Sequence, residues 1–302
     1  MKRRHFIQLT GAAALAAFAS SLPAAGGEIR TAADLHKYLR SLRPIPEPSV
    51  DQIIIGNPDT VIKKIGTCWM PYWQTLRQAV AGGVNVMVVH EPTFYYHREI
   101  DAVNAEYAQG CPEAKTAYLQ AIEQKKQWIM ANDLVIIRCH DVLDSVAGFG
   151  VPLAFARALG FAEDKLHNSN TYYRVYNVEP TPAIKMAEYI VARLKSFNQT
   201  GVQFYGDPDF QVSRVGIGTG CGCNPIDFMN MGANFYVAID DSIRTWIQTV
   251  YAEDTGIPLV VLNHGTSEEN GVRLLSEHLH SVCPHVPVIH FNQGCGYRWV
   301  TI

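Results

Sequence analysis

Five residues have the types and spacing for metal chemistry: His90 beside Glu91, Asp144, and His264 with Glu268 four positions on. Imidazole nitrogens and carboxylate oxygens are ligands for divalent first-row metals. Each of the five stands where a strand-like apolar run gives way to a polar segment, the place where α/β folds put their chemistry. His90 and Glu91 would point to opposite faces of a continuing strand, so they can share one site only if the strand ends there. Pro92 favours that ending, because it lacks an amide donor and holds Glu91 extended. Side chains aimed apart from one strand end could feed two neighbouring ions; taken alone, the pair is also what a polar strand terminus gives. His264 and Glu268 share one face, about a turn apart, if a helix starts by Gly265; alone they would be read as a surface pair or a cap. Asp144 follows His140 by four and alone reads as a loop or capping carboxylate. The ensemble points to a metal-dependent hydrolase or a metal-binding protein.

The elements that must position these residues alternate along the chain. A helix is predicted over 31–42, with Thr31 as N-cap, an apolar face through Leu35, Tyr38, Leu39 and Leu42, and a stop at Pro44 and Pro46. Strands follow at 53–55 and 65–69, then a helix over 72–81 that ends at Gly82-Gly83, then a buried strand over 84–89 that delivers His90. Residues 94–110 have no clean period, hold Tyr95, Tyr96, His97 and Arg98, and read as an irregular insertion near the site. A helix begins at Pro112 and runs to about 132; a strand over 134–139 delivers His140 and Asp144; a helix over 152–159 is closed by Gly160. A polar break at Asn168-Ser169-Asn170 marks a lobe boundary. Beyond it strands are expected at 172–178, 202–205, 212–217, 235–239, 258–262, 286–291 and 297–301, and helices at 181–197, 225–231, 242–254 and 268–282. The class is α/β with mixed sheets.

The first residues read as an address. Lys2, Arg3 and Arg4 precede an Ala-rich uncharged run over 11–22 that is too short for a confident membrane span. Arg3-Arg4-His5-Phe6 resembles the twin-arginine export signal of bacteria, with cleavage after Ala19 or near Ala24-Ala25. The alternatives are an uncleaved anchor or a helical tail. The division expected is a signal over 1–26 and one domain over 27–302, with lobes at about 27–168 and 169–302, in a periplasmic protein with no stable membrane insertion after cleavage. Of 302 residues 48% are hydrophobic, enough for an ordinary core. A net charge of −3 without a basic stripe after residue 5 argues against nucleic acid as a partner. Seven cysteines contain no C-x-x-C pair, which removes zinc-ribbon and thioredoxin-like readings; Cys283 with Cys295 is a pairing an oxidising compartment would allow, while Cys68 and Cys139 read as small buried hydrophobes.

The stretch Val84-Asn85-Val86-Met87-Val88-Val89-His90-Glu91-Pro92 resembles the strand and His-His-Pro turn of the Nif-three-like dinuclear metal-centre family, often called GTP cyclohydrolase type-two-like. His140 to Asp144, with Gly148 and the helix behind it, resembles the family's His-x-x-x-Asp segment, and His264-Gly265-Thr266-Ser267-Glu268 its C-terminal ligand segment, in the same order. The resemblance implies a two-lobed α/β protomer, usually in a toroidal hexamer, with two divalent metal ions in the cleft between lobes. Carried over by residue, the ligands become His90, Asp144, His264 and Glu268, with Glu268 as the bridge. Glu91 stands where the family has a second histidine, and Ala238-Ile239-Asp240-Asp241 replaces its Thr-Gly-Glu segment. With Glu91, Asp144 and Glu268 as ligands, two divalent ions keep one uncompensated positive charge, where a His-His site would keep two. Bound water would then be less acidified, and histidine at position 91 would favour softer ions. With few nitrogen donors the site suits zinc, manganese or iron.

Weaker candidates surround these. Gly216, Gly218, Gly220 and Gly222 form a glycine loop that either holds an anion on its amides or simply turns tightly; it lacks the P-loop lysine. His97 and His140 could support the ligands or act as a general acid, and Trp69, Tyr95 and Tyr96 could stack on a ring-shaped substrate or fill the core. The resulting expectation is a hydrolase in which metal-bound hydroxide attacks a small phosphorylated or heterocyclic substrate held by the second ion, in a homo-oligomer. The alternatives are a metal carrier or sensor in the cell envelope, and an interaction protein that has kept only the fold.

Overall fold

The computed structural model describes residues 28–99, 112–221 and 223–300. The expected export signal, residues 100–110 of the expected insertion, Cys111, Gly222 and residues 301–302 lie outside the described residues.

Helix α1 (Ala32–Leu42) starts on the expected Thr31: its hydroxyl accepts the Asp34 N–H at 3.2 Å while Asp34 accepts the Thr31 N–H at 2.9 Å, a reciprocal capping box. Strands β1 (Ile53–Ile55) and β2 (Ile65–Cys68) follow, then α2 (Trp73–Ala81), β3 (Val86–Val89), α3 (Pro112–Ala131) and β4 (Val135–Arg138). β2, β3 and β4 are short continuous runs buried at every position, as parallel strands covered on both faces must be. Val86 and Val88 pack on one face with Leu35 and Leu275, whereas Met87 and Val89 pack on the other with Leu76, Phe94 and Ile129.

The chain continues through α4 (Asp141–Ser145), α5 (Val151–Ala158), β5 (Leu166–Ser169), β6 (Arg174–Pro182), α6 (Ala183–Leu194), β7 (Gln203–Tyr205), β8 (Gln211–Ile217), α7 (Pro225–Asn230), β9 (Phe235–Ile239), α8 (Val250–Thr255), β10 (Leu259–Leu262), α9 (His264–Val282) and β11 (Val288–His290). Four expectations are corrected. The helix expected over 242–254 is split, with a wider turn over Thr245–Thr249 preceding α8. α9 begins at His264, not at Glu268, so the ligand candidates lie in its first turns. Residues 297–300 form no strand. Cys283 and Cys295 are unpaired; the Cys295 Sγ faces the Tyr297 carbonyl at 3.5 Å instead.

Two mixed sheets result. The five-stranded sheet runs β1-β4-β3-β2-β11, with only β1 antiparallel to its neighbour; the six-stranded sheet runs β5-β6-β8-β9-β10-β7, with β8, β9 and β10 parallel. The boundary differs from the expected division at 168/169 in two ways. The polar stretch there is edge strand β5, which pairs with β6 and keeps most of its side chains exposed, so it needs no apolar alternation. And β11, from the far end of the chain, pairs with β2 in the first sheet. Helices α9 and α5 pack together, and Gly271 lets them approach: a Cβ there would lie 2.8 Å from Val151 Cγ2. No described helix is long and apolar enough to cross a membrane.

Candidate metal centre

The site collects at the C-terminal ends of parallel strands from both sheets. β2 hands on to Trp69, β3 to His90 and Glu91, and β4 to His140 and Asp144; from the second sheet, β8 leads to the glycine turn, β9 to Asp240 and Asp241, and β10 to His264 and Glu268. This is where the crevice outside the carboxyl ends of such strands, bounded by loops and helix N-termini, leaves room for chemistry.

The five expected residues converge. His90 Nε2 lies 3.2 Å from Glu268 Oε2 and 3.5 Å from Asp144 Oδ1. His264 Nε2 lies 2.9 Å from Glu268 Oε2 and 3.1 Å from Glu91 Oε1. Two overlapping groups of donors follow, His90–Asp144–Glu268 and Glu91–His264–Glu268, each with its ligand atoms within 4.8 Å of one another and with Glu268 common to both. His140 stacks on His90 with ring centroids 4.6 Å apart, and its Nδ1 lies 3.4 Å from Asp144 Oδ2.

Whether these residues fit a cation can be read from the imidazoles. His90 Nε2 and His264 Nε2 are buried, stand at hydrogen-bonding distances from carboxylates, and yet make no hydrogen bond. The distances are right and the angles are not, which is what several donors aimed at a common point produce. A buried imidazole nitrogen left without a partner is costly unless a cation supplies one. The opposite ring nitrogens are anchored: His90 Nδ1 donates to the Cys139 carbonyl at 3.2 Å and His264 Nδ1 to Asp241 Oδ2 at 2.6 Å. This fixes both tautomers with Nε2 free to ligate. The residues fit divalent cations.

The electrostatics agree. Burial pushes the His90 imidazolium down, but Glu268, Asp144 and Glu91 more than offset it, and its pKa is pushed up to about 10. His264 is raised in the same way, burial opposing and Glu268 with Asp241 prevailing. Burial raises the Asp144 carboxyl to about 6 even though His140 and His90 pull it down. Without an ion the cluster therefore keeps protons on its histidines to balance three carboxylates that are buried or nearly so.

Several supporting residues escaped the sequence reading. Trp69, expected only as a stacking or core residue, donates its indole N–H to Glu268 Oε2 at 2.7 Å. Asp240 accepts the His264 N–H at 3.0 Å and the Asn263 side-chain amide at 2.9 Å, so the stretch that departs from the family pattern does hold the α9 N-terminus. Asp51 accepts from the backbone N–H groups of His140, Asp141 (3.1 Å) and Val142 (2.7 Å), capping α4 from a remote part of the chain. Arg138, fully buried, donates to the His90 carbonyl at 3.0 Å and to Glu91 Oε2 at 3.4 Å. The one available signal for it is an arginine closing the apolar run of β4 immediately before Cys139-His140.

The weaker candidates separate. His97 meets the His140 ring edge-on at 5.0 Å and the Arg138 guanidinium at 3.3 Å, and burial together with Arg138 holds its pKa down to about 4. Tyr95 turns away to face Tyr118. In the glycine loop, Gly220 (φ +58°) is the functional position: a Cβ there would lie 2.7 Å from Glu268 Oε1 and 3.4 Å from His264 Nε2. Its role is close approach to the carboxylate. A cavity of about 320 Å³ opens beside Asp144, lined by Arg43, Ser145, Asn170 and Arg174 among others.

Fold and site together define a two-sheet α/β protein with a buried His/Asp/Glu cluster suited to divalent cations. The chain matches the family Duf34/NIF3 (NGG1p interacting factor 3) over residues 51–293 and belongs to it. Among solved structures it is similar to a hypothetical protein of Staphylococcus aureus, at 17% identity and a TM-score of 0.69 over 90% of this chain and 100% of that one. It is similar to a Bacillus cereus protein related to NIF3, at 14% identity and a TM-score of 0.68 over 91% of this chain and 100% of that one. Reduced HcgD from Methanocaldococcus jannaschii matches at 18% identity and a TM-score of 0.63 over 87% of this chain and 99% of that one. These likenesses establish the fold. No curated protein matches the chain.

Proposed function

We propose that the protein is a dinuclear metal-dependent hydrolase acting on a small phosphorylated or heterocyclic molecule. The observation that carries this reading is the pair of buried, unbonded imidazole nitrogens, His90 Nε2 and His264 Nε2, facing shared carboxylates. His90, Asp144 and Glu268 would hold one ion and Glu91, His264 and Glu268 the other, with Glu268 bridging. Divalent ions bound there would acidify coordinated water and polarise a substrate oxygen.

The chain's own residues do the rest. Trp69 and Gly220 keep Glu268 in one orientation, and Asp241 and the Cys139 carbonyl orient the two imidazoles. His140, beside Asp144 and hydrogen-bonded to Asp141 at 3.0 Å, can hold a proton next to the reacting groups. The cavity beside Asp144, with Arg43 and Arg174 on its wall, is suited to receive an anionic substrate. Exposed Ile226, Met229, Trp246, Ile247 and Val250 support subunit contacts in a homo-oligomer, in keeping with a hexamer. Export to the periplasm belongs to the same reading, on the strength of Arg3-Arg4-His5-Phe6.

Elemental analysis of the purified protein tests it. The wild type should carry about two divalent ions per chain and turn over model phosphoesters, and Asp144→Ala and Glu268→Ala should lose both properties. Readily exchanged metal without turnover would leave the carrier or sensor reading; a protein with no stoichiometric metal ends both.

A further inference from the structure

Glu91 is the departure of this chain from a His-His pair, and its two oxygens face in different directions. Oε1 faces the cluster, 3.1 Å from His264 Nε2 and 3.9 Å from His140 Nε2. Oε2 faces away, toward Arg138 Nη2 at 3.4 Å. Arg138 ends β4 opposite Val89 of β3, one residue before His90, so strand pairing itself brings the guanidinium to the back of the His90-Glu91 pair. Its side chain is wholly buried; its Nε donates to the His90 carbonyl at 3.0 Å, its Nη1 to the His97 carbonyl, and its Nη2 also meets His97 Nδ1 at 3.3 Å.

Arg138 has a second carboxylate nearby, Glu99 Oε2 at 3.9 Å. Glu99 has other partners. Its Oε1 accepts the N–H groups of Thr93 and Phe94, the latter at 2.9 Å, while buried Lys125 donates to the Pro71 and Thr93 carbonyls at 2.7 and 2.8 Å. Glu91 is the nearer carboxylate to the guanidinium, at 3.4 Å against 3.9 Å for Glu99. A guanidinium stays charged in any protein environment, so its contribution to the site is permanent.

We propose that Arg138 is a positioning residue that converts Glu91 into the electrostatic equivalent of a histidine ligand. It engages Oε2, so that Glu91 offers the site a single oxygen, and its fixed positive charge offsets the carboxylate. Three ligand carboxylates and one guanidinium leave two divalent ions with the same uncompensated charge that a His-His pair without the arginine would leave. The acidifying power over bound water is thereby retained, contrary to what the ligand set alone predicts. The inference rests on the metal reading above.

The two residues then make sense only as a pair. Histidine at position 91 would leave Arg138 buried beside two cations with only the more distant Glu99 to offset it, and like charges at such range in a protein interior weaken binding steeply. Removing the arginine as well would restore the balance. The test measures dissociation constants for Mn²⁺ and Zn²⁺, by competition with a fluorescent chelator, in wild type, Glu91→His, Glu91→His/Arg138→Met and Glu91→His/Arg138→Gln. The Gln form keeps an amide donor for the neighbouring carbonyls and serves if the Met form does not fold.

Glu91→His alone should bind the more weakly held ion at least about tenfold less tightly, and a folded double variant should return to within about threefold of wild type. An arginine with a merely structural role would make the double variant worse than the single one. Equal affinities for wild type and Glu91→His, or a folded double variant no better than Glu91→His, overturn the assignment of Arg138. A wild type that binds neither Mn²⁺ nor Zn²⁺ overturns the metal reading and this inference with it.

Discussion

Trp69 donates its indole N–H to Glu268 Oε2 at 2.7 Å, and that same oxygen is the one nearest both His90 Nε2 and His264 Nε2. The ring is buried and packs edge-on to His264 with centroids 5.4 Å apart, so the residue at the end of β2 reaches the carboxylate that joins the two donor groups. Trp69→Phe should keep most of the packing and lose the hydrogen bond. Metal affinity should fall by about 10- to 100-fold, the usual effect of losing a partner that orients a ligand. Chelator competition measures this, and an unchanged dissociation constant would show that Glu268 needs no such support.

Metal binding should release protons. In the ion-free protein burial works against the His90 imidazolium, but Glu268 and Asp144 prevail and hold its pKa at about 10, so the ring is protonated at neutral pH and an ion must displace that proton. Affinity should therefore climb with pH, by up to about tenfold per unit for each proton released, and level off above about 10. Calorimetric titration in two buffers of different ionisation enthalpy counts the protons. No difference between the buffers would refute the protonated state.

Gly220 leaves no room for a side chain. At φ +58° a Cβ would come 2.7 Å from Glu268 Oε1, so Gly220→Ala must displace that carboxylate as well as strain the turn. The expected result is weaker metal binding, together with about 1 kcal/mol of lost stability from the left-handed backbone. Thermal unfolding with and without metal separates the two effects. Full metal affinity in the variant would mean that Glu268 is free to move.

Acid sensitivity should trace in part to His278. Its ring stacks on Phe149 at 5.1 Å, its Nε2 bonds the Tyr38 hydroxyl at 2.7 Å, and burial holds its pKa down to about 4. The unfolded chain takes up this proton near pH 6.5, the folded chain only near 4. The stabilisation is therefore complete above pH 6.5 and is lost as pH falls toward 4, by about 3 kcal/mol in all. His278→Gln should flatten that limb in urea titrations run across this range. Identical slopes for the two proteins would rule the residue out.

Much of this site could be read from sequence because the candidate ligands follow strands. His90, His140 and His264 each come immediately or almost immediately after a buried apolar run, and such runs are recognisable without coordinates. The residues that hold the ligands could not be read in the same way. Asp51 and Asp240 look like ordinary loop carboxylates, and their roles exist only because the chain returns to them, from 89 residues away at the His140 amide and 24 at the His264 amide. Arg138 carries no mark of its role in the sequence, because only the pairing of β3 with β4 brings it to Glu91. The edge strand β5 was missed because an exposed strand carries no apolar alternation, and α4 because a helix of five residues has no period to detect.

The pairing of β11 with β2 has a consequence for the order of events at the ribosome. His290 closes the edge of the first sheet through Thr67 and through Glu269 of α9, so that sheet is unfinished until the chain has been made through His290, 223 residues after Thr67. Nascent chains will hold the β2 edge bare until β11 has emerged, and the completed cluster, with donors contributed from both sheets, becomes available to cations only once the helix that carries His264 and Glu268 has been made.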